Sequence, residues 1–421
     1  MDDLSRNRGC TDPPGLVDLR ILFLSNTVPY PLHGGVALRL FHLVSRMARR
    51  HEVTLGAHVF SDTDQGNAEY LSRHHFPTVV GPLSRFNASH VLPSLRYAMR
   101  GVPPETAQFS SPVLRRLVRE GNYDIIQADE TLMAPYLEEI PAGSRAYSVV
   151  CFHNVHFVQT RRIAALEPSR LWRRVRSFNA RWMASYEPRL VRRCSRAIAV
   201  SEADRDALLE VAPGARVDVI PNGVDTRVLR PLPVAGGPPV VVFVGSMGYL
   251  PCSDGARWFL QSVFPLLCRR GPGMECWIVG RDAPRSLTAL ASERVHITGT
   301  VDDVLPYYRR ATVAIAPLRA GGGSRLKILE AMAIGRPVVS TTIGAEGLNL
   351  VDGREFLLAD SAEAFAGAVA ALVENPLLAA SVAGEARRRV ESEFDWDTIA
   401  ARQLEVYEEL RLAPVAAAGR E

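Results

Sequence analysis

Two α/β domains, each a parallel sheet flanked by helices, are predicted by three features of this 421-residue chain. Short apolar runs alternate with stretches of helical periodicity from Arg20 onwards, the pattern of a parallel sheet covered on both faces. A Pro- and Gly-rich stretch interrupts the alternation near the middle of the chain, after which it restarts. The length also exceeds what one hydrophobic core usually supports. The expected fold class is α/β, with two facing Rossmann-like domains and a cleft between them.

Taken in order, residues 1–18 form a polar, Pro-containing lead expected to be disordered. Arg20 to Ser25 (RILFLS) reads as a buried first strand, and Thr27 to Gly35 as a Pro- and Gly-rich loop. In the helix that follows, Leu40, Leu43, Val44 and Met47 recur at helical spacing, and His51 to Phe60 supplies the second strand. Further strands are expected at Thr78 to Val80, Tyr123 to Gln127, Tyr147 to Phe152, Ala197 to Val200 and Val217 to Ile220, completing a first domain over 19–221. Residues 222–239 have linker composition. A second domain, 240–395, carries strands at Val240 to Val244, Cys276 to Val279, Val295 to Thr298, Thr312 to Ala316, Pro337 to Ser340 and Phe356 to Leu358. A helix over 396–412 is expected to cross back to the first domain, and 413–421 to fray.

The formal charge of +4 is small for this length, and no recognition motif or localised basic domain marks a nucleic-acid binder. Six cysteines are scattered without a C-x-x-C pair and read as reduced thiols. No apolar run reaches the ~18 residues of a membrane span. The opening MDDLSRNRGC lacks the basic and then apolar regions of a signal peptide, so a cytoplasmic location is expected. Of the 49 Lys plus Arg residues, one is a lysine, Lys327. A chain that writes arginine nearly everywhere keeps a compact ammonium at that place.

Lys327 lies in APLRAGGGSRLKILEAM (Ala316 to Met332), where a strand yields to three glycines and a helix expected to begin near Ser324. Glycines let backbone N–H groups approach an anion, and a helix start adds positive potential. A phosphate is therefore the expected guest of Gly322, Gly323, Ser324 and Leu326, with Arg325 and Lys327 adding formal charge. Glu330, about one turn on, can accept hydrogen bonds from a ribose diol. The plain alternative is a flexible turn with a surface Lys–Glu pair. A second glycine pair, Gly34 and Gly35, opens the first helix with Arg39 one turn in; a Pro-stiffened turn is the other reading. In Cys151-Phe-His-Asn-Val-His156, His153 and Asn154 fall just beyond the carboxyl end of a parallel strand, where open sheets bind ligands. The alternative there is a satisfied structural histidine.

Along the chain occur, in order, PYPLHGGVALR, FHN after its strand, VIPNGVD, FVGSMGY, IVGRD, ITGTVDDVLPYY and GGGSRLKILEAMAIGRPVVSTTIGAEGL. The ordered set resembles the large retaining glycosyltransferase family of GT-B fold, the family 4-like group 1 glycosyl transferases. Bacterial sucrose-phosphate, lipopolysaccharide and phosphatidylinositol-mannoside enzymes typify that family, and the subgroup most similar serves polysaccharide or exopolysaccharide assembly. The resemblance implies transfer of a sugar from a nucleotide-diphosphate sugar to a saccharide, lipid-linked or small-molecule acceptor. It further implies retention of anomeric configuration, no metal and no cofactor. By the same resemblance Gly34 and Gly35 approach the donor phosphates, His153 contacts the transferred sugar, Arg325 and Lys327 neutralise the diphosphate, and Glu330 holds the ribose. Ser246, Arg281 and Val301 fall on the donor side, the last two near the base, while Arg39 and Asn154 fall on the acceptor side. The donor is expected mainly in the C-terminal domain and the acceptor in the N-terminal one.

Two positions depart from the family pattern. The Glu usual eight positions before the helix Glu is Gly322 here, and FVGS is followed by no basic residue, with Ser246 and Met247 in place. Phosphate binding then leans on Arg325, Lys327 and backbone N–H groups. Asp62-Thr-Asp64 and Asp395-Trp-Asp397 read as structural carboxylates, the second opening a helix, and not as metal ligands. The stretch Arg161 to Arg196, with Trp172, Phe178, Trp182, Met183 and Tyr186, has two readings. It is an amphipathic surface for peripheral contact with anionic lipid at the inner face of a membrane, or a long helix packed on its domain with solvated arginines. The alternatives to transfer are a nucleotide-sugar epimerase of the same build and a non-catalytic nucleotide-sugar-binding regulator.

Overall fold

The computed structural model describes residues 18–32, 34–83, 91–167, 169–233, 236–271, 273–322 and 325–412. The expectations for residues 1–17, for the tail 413–421 and for Gly323 and Ser324 lie outside the described residues.

The first sheet contains β1 (Arg20–Ser25), β2 (Glu52–Val59), β3 (Thr78–Pro82), β4 (Ile125–Asp129), β5 (Tyr147–Phe152), β6 (Arg196–Ala199) and β7 (Val217–Val219). They run in the order β3-β2-β1-β4-β5-β6-β7, and each pairing is parallel. β1 reads as an unbroken apolar run because both of its faces are covered. Ile21 and Phe23 belong to one hydrophobic cluster, and Leu22 and Leu24 to the cluster on the opposite face. The strand expected from Tyr123 starts at Ile125, since Asp124 turns its carboxylate to the Arg20 N–H at 2.8 Å instead.

The second sheet contains β8 (Val240–Val244), β9 (Glu275–Val279), β10 (Val295–Ile297), β11 (Val313–Ala316), β12 (Val338–Ser340) and β13 (Leu357–Leu358). Its order is β10-β9-β8-β11-β12-β13, again parallel throughout. In both sheets the strand order reverses beside the first strand, between β1 and β4 and between β8 and β11. Loops leaving neighbouring strands there diverge to opposite faces and open a crevice, where doubly wound sheets bind their ligands. The topology therefore points at the loops carrying Gly34, Glu130, Ser246 and Gly322.

The last helix, Trp396–Leu412, buries Trp396, Ile399, Tyr407 and Leu410 in the core of the first sheet with Leu40 and Val44. Trp396 stacks on His42 with ring centres 5.3 Å apart, and a β-carbon at Gly223 would stand 2.8 Å from its ring. Arg46 grips Asp225 at 3.1 Å and Asp397 at 2.5 Å, and Asp395 accepts from the Thr226 hydroxyl at 2.5 Å. The carboxylates of that Asp-x-Asp triplet are spent on anchoring the helix. Asp64 of the other triplet accepts from the Phe60 N–H and the Ser61 hydroxyl, both at 3.0 Å, at the start of the helix Asp62–His74. Among the described residues the five cysteines are free thiols. No single helix among them is long and apolar enough to cross a membrane; Ala362–Glu374 and Pro376–Glu393 have the length and composition only as a pair bent by 101°.

Candidate active site

The loop after β1 ends on Gly34, whose φ of 100° is a conformation side chains resist. A β-carbon there would meet open space, so the strain and not crowding selects glycine. Gly35 is different: a β-carbon would stand 3.0 Å from Leu326 Cδ1, at the start of the helix Leu326–Ala333 in the other lobe. The first glycine pair thus faces the start of the helix that follows the second glycine segment.

Arg39 departs from its expected acceptor-side place. It is fully buried, donates to the Pro221 carbonyl at 2.7 Å and to Asn222 Oδ1 at 3.1 Å, and lies against Asp129 and Cys151. The reason is helical phase: Arg39 stands four and eight residues before Leu43 and Met47, on the stripe that faces the core.

At the carboxyl ends of β4 and β5, His153 Nε2 lies 3.0 Å from Asp129 Oδ2, and both side chains are buried. Burial alone would push the Asp129 carboxyl up, but His153, Arg39 and Gln127 together hold it below its ordinary value. Burial pushes the neighbouring Cys151 thiol up to about 12. Possible donor atoms of Asp129, Cys151 and His153 lie within 4.8 Å of one another. The Arg39 guanidinium beside two of the three works against a divalent cation at that spot. Glu130 follows with a φ of 120°, rare for a non-glycine residue and a form of strain that clusters at functional sites. Asn26 Nδ2 donates to Glu130 Oε2 at 2.7 Å, and burial raises this carboxyl above its ordinary value.

On the opposite lobe Gly321 has a φ of 118°, and a β-carbon at Gly322 would stand 3.3 Å from Asn154 Oδ1. Asn154 therefore abuts the glycine loop itself. Arg325, at the capping position of the helix Leu326–Ala333, folds back to donate to the carbonyls of Gly322 and Ile343, while its Nε has no partner. The helix begins two residues later than its expected start at Ser324, and no side chain caps it. The Ile328 N–H donates to the Arg325 carbonyl at 2.9 Å, whereas the N–H groups of Leu326 and Lys327 have no partner among the described residues and stay open to a ligand.

Lys327 Nζ lies 3.2 Å from Cys252 Sγ and 4.7 Å over the Phe243 ring, and no carboxylate of the described residues is within ion-pair distance. Gly245 makes the room, since a β-carbon there would stand 2.8 Å from that nitrogen. Burial pushes the Glu330 carboxyl up to about 7, with the Lys327 charge pulling against it. Gly280, with a φ of 143°, brings the ends of β8 and β9 together so closely that its β-carbon would be 1.8 Å from the Gly245 carbonyl oxygen. No other residue fits. Ser246 and Arg281 follow those two strand ends, and the Met247 N–H donates to the Arg281 carbonyl at 2.9 Å. The Arg281 side chain is exposed beside Asp282 at 3.6 Å. Val301 follows Gly299, which bridges Gly280, and packs beside Tyr308. Ser246, Arg281 and Val301 accordingly share the carboxyl edge of the second sheet.

The helix His156–Leu166 carries several polar contacts between the lobes. Arg162 donates to both Glu346 carboxylate oxygens, at 2.5 and 2.9 Å, and to the Gly321 carbonyl at 3.0 Å; Gln159 donates to the Tyr249 hydroxyl at 3.1 Å. Buried Glu187 accepts the N–H groups of His156 and Phe157 at 3.0 and 3.1 Å, closing the start of this helix. One wall of the cleft is thus cationic and amide-rich, and the other carries an imidazole and carboxylates. Such a pair of walls can hold a diphosphate on one side and a hydroxylated group on the other.

Two family models match this chain: Glycosyltransferase Family 4 over residues 33–228, and Glycosyl transferases group 1 over residues 238–375. A lipopolysaccharide core biosynthesis mannosyltransferase, LpsB of Rhizobium meliloti, is 30% identical over 52% of this chain and 67% of its own length. The chain belongs to the group 1, family 4 glycosyltransferases. A glycogen synthase of Mycobacterium tuberculosis (strain H37Rv) is 26% identical to this glycosyltransferase over 92% of the chain and 94% of its own length. Sucrose-phosphate synthase from Thermosynechococcus elongatus shares the fold at a TM-score of 0.70 and 17% identity, covering 94% of the glycosyltransferase and 100% of that chain. Anabaena Alr3699/HepE in complex with UDP and glucose shares it at 0.64 and 20% identity, covering 93% and 100%. The architecture is GT-B.

Sequence reasoning missed Asp129, Glu130, Arg162 and Glu346. The first two were legible: QADE ends a buried strand just as FHN does. Arg162 and Glu346 are 184 residues apart and carry no local signal.

Proposed function

We propose that this glycosyltransferase moves a sugar from a nucleotide-diphosphate sugar to a hydroxyl of a saccharide, lipid-linked or small-molecule acceptor, with retention and without a metal. The observation that carries the reading is Lys327, an ammonium without a carboxylate partner among the described residues, in the first turn of a helix whose first residue, Leu326, abuts Gly35 of the other lobe. In this reading Lys327, Arg325 and the amides near Gly322 and Leu326 bind the diphosphate, joined by Gly34 and Gly35 from the other lobe. Glu330 takes the ribose diol, and Ser246, Arg281 and Val301 line the rest of the donor site. His153 touches the transferred sugar, and Asn154 steadies the sugar side of the cleft.

The bond from the anomeric carbon to the phosphate oxygen breaks as the acceptor oxygen bonds to the same face of that carbon. The acceptor proton passes to the leaving phosphate. Fixed cations stabilise the charge that develops on that phosphate, the role a divalent ion fills elsewhere. Sugars of uridine, guanosine and adenosine diphosphate, assayed in EDTA, test the reading. One base is expected to raise the melting temperature, as saturating ligand adds about 3–4 kcal/mol at 100–1,000 times Kd. Turnover should persist in EDTA and yield product with the donor's anomeric configuration by NMR. Inversion, loss of turnover in EDTA, or no response to any of the sugars defeats it.

Peripheral lipid contact belongs to the same reading. The helix Arg170–Arg193 buries Met183, Tyr186 and Val191 in its second half, while its first half exposes Leu171, Trp172, Val175 and Phe178 among arginines. The protein is expected to sediment with vesicles rich in anionic lipid at low salt and to stay in solution at high salt. A protein that remains in the supernatant at both salts has no such contact.

A further inference from the structure

Behind His153 runs a line of buried polar side chains that the transfer reaction described above leaves unexplained. Asp129 Oδ2 lies 3.0 Å from His153 Nε2, and its other oxygen, Oδ1, accepts from Gln127 Nε2 at 3.1 Å. Gln127 Oε1 accepts in turn from the Tyr407 hydroxyl at 2.5 Å and from Gln403 Nε2 at 3.1 Å. Gln127, Gln403 and Tyr407 are fully buried, and Asp129 is 1% exposed. Gln127 and Asp129 sit on β4, whereas Gln403 and Tyr407 arrive on the helix Trp396–Leu412. Buried polar groups cost free energy unless paired, and although Gln403 Oε1 has no partner, the pairing along the line constrains the direction of its bonds.

The directions follow from the donors available. Gln403 Nε2 also donates to the Tyr407 oxygen at 2.5 Å, so the Tyr407 proton is free to point to Gln127 Oε1. With its oxygen facing two donors, Gln127 turns its NH2 to Asp129. Asp129 then faces His153 as an ionised acceptor, and an acceptor requires a proton on Nε2. His153 Nδ1 is left without a partner among the described residues.

We infer that the crossing helix, acting through Tyr407, Gln127 and Asp129, holds His153 in its Nε2–H tautomer, so that Nδ1 accepts a hydrogen bond from a hydroxyl of the transferred sugar. The inference rests on the contact between His153 and that sugar proposed above. It makes Asp129, Gln127 and Tyr407 positioning residues, and it selects donors whose sugar presents a free hydroxyl to His153 over their deoxy or O-methyl counterparts. It also gives the last helix a chemical task, setting the proton position of a cleft residue in the lobe that it anchors.

The test is long-range proton–nitrogen NMR on the full chain labelled with 15N-histidine, without donor, with His153→Gln used to assign the His153 signals. The wild-type protein is expected to show His153 protonated at Nε2. Asp129→Asn, whose amide can donate to Nε2, is expected to move the proton to Nδ1, as the orienting carboxylate of a catalytic triad does when it is replaced by its amide. Tyr407→Phe is expected to leave a mixture of the two tautomers, because Gln127 loses a donor that fixes its amide. The other nine of the ten histidines report that each variant is folded. A wild-type protein protonated at Nδ1, or an Asp129→Asn protein still protonated at Nε2, overturns the inference. An unchanged Tyr407→Phe spectrum removes Tyr407 from it, and an unchanged spectrum when Gln403→Leu is added removes the crossing helix. The tautomer is read with no donor present, so its failure is distinguishable from failure of the transfer reading, which shows only in the turnover assay.

Discussion

Lys327→Ala is expected to lower turnover by about 10²–10³-fold, the usual loss when one preorganised group that stabilises developing negative charge is removed. At about pH 5, where Glu330 is protonated, its melting temperature should stay within roughly 2 °C of wild type, because the side chain makes no ion pair with the described residues and loses little beyond a contact with Cys252 and Phe243. Lys327→Arg should not restore the rate. A planar guanidinium needs more space than an ammonium, and the room at Nζ exists only because residue 245 is glycine. Steady-state kinetics with the donor selected by its thermal shift, together with a melting curve, check this. A folded Lys327→Ala protein with turnover within about threefold of wild type would falsify the role given to the ammonium.

The second large effect is a pH-dependent gain of stability in Glu330→Gln. The folded protein holds the Glu330 proton up to about pH 7, whereas the ordinary value is 4.5. Between those values the native state binds a proton that the unfolded chain has lost, so this group costs stability progressively as pH rises through the window. The cost persists above it. At ~1.4 kcal/mol per pH unit it is on the order of 3 kcal/mol at pH 8 and near zero at pH 4. Glutamine carries no such term, so the variant should melt above wild type at pH 8 and with it at pH 4. Donor affinity should move the other way, falling by roughly 10-fold as a charged acceptor on the ribose becomes a neutral one. Parallel melting-temperature profiles for the two proteins from pH 4 to pH 8 would sink the argument. The two sites are coupled. Lys327 lowers the Glu330 value, so in Lys327→Ala the loss of stability should continue to higher pH than in wild type.

The pairing of gain and loss in Glu330 fits a residue held for binding at a cost to the fold. Glu330 is legible in the sequence because it stands one helical turn after the chain's single lysine, and helical spacing fixes which neighbours can cooperate. Gly34, Gly35 and Gly322 are legible for a similar reason, since glycine before a helix marks backbone available to an anion. Arg39 shows where this reasoning stops. Its place one turn into a helix after a glycine loop suits a ligand contact, yet its phase on the helix turns it into the core beside Asp129 and Cys151.

The sequence by itself determined the two parallel α/β sheets, the family, and the positions at which strands hand over to glycine loops, because each is written in contiguous residues through periodicity, turn chemistry or ordered motifs. Only the tertiary structure decided that Gly35 abuts Leu326, that Arg162 clasps Glu346, and that Tyr407 reaches His153 through Gln127 and Asp129. Apart from Gln127 and Asp129, neighbours on one strand, those contacts join residues between 24 and 291 positions apart through the reversal of strand order and the return of the last helix. Local pattern carries no term for distance through space, and chemistry in a cleft depends on that distance.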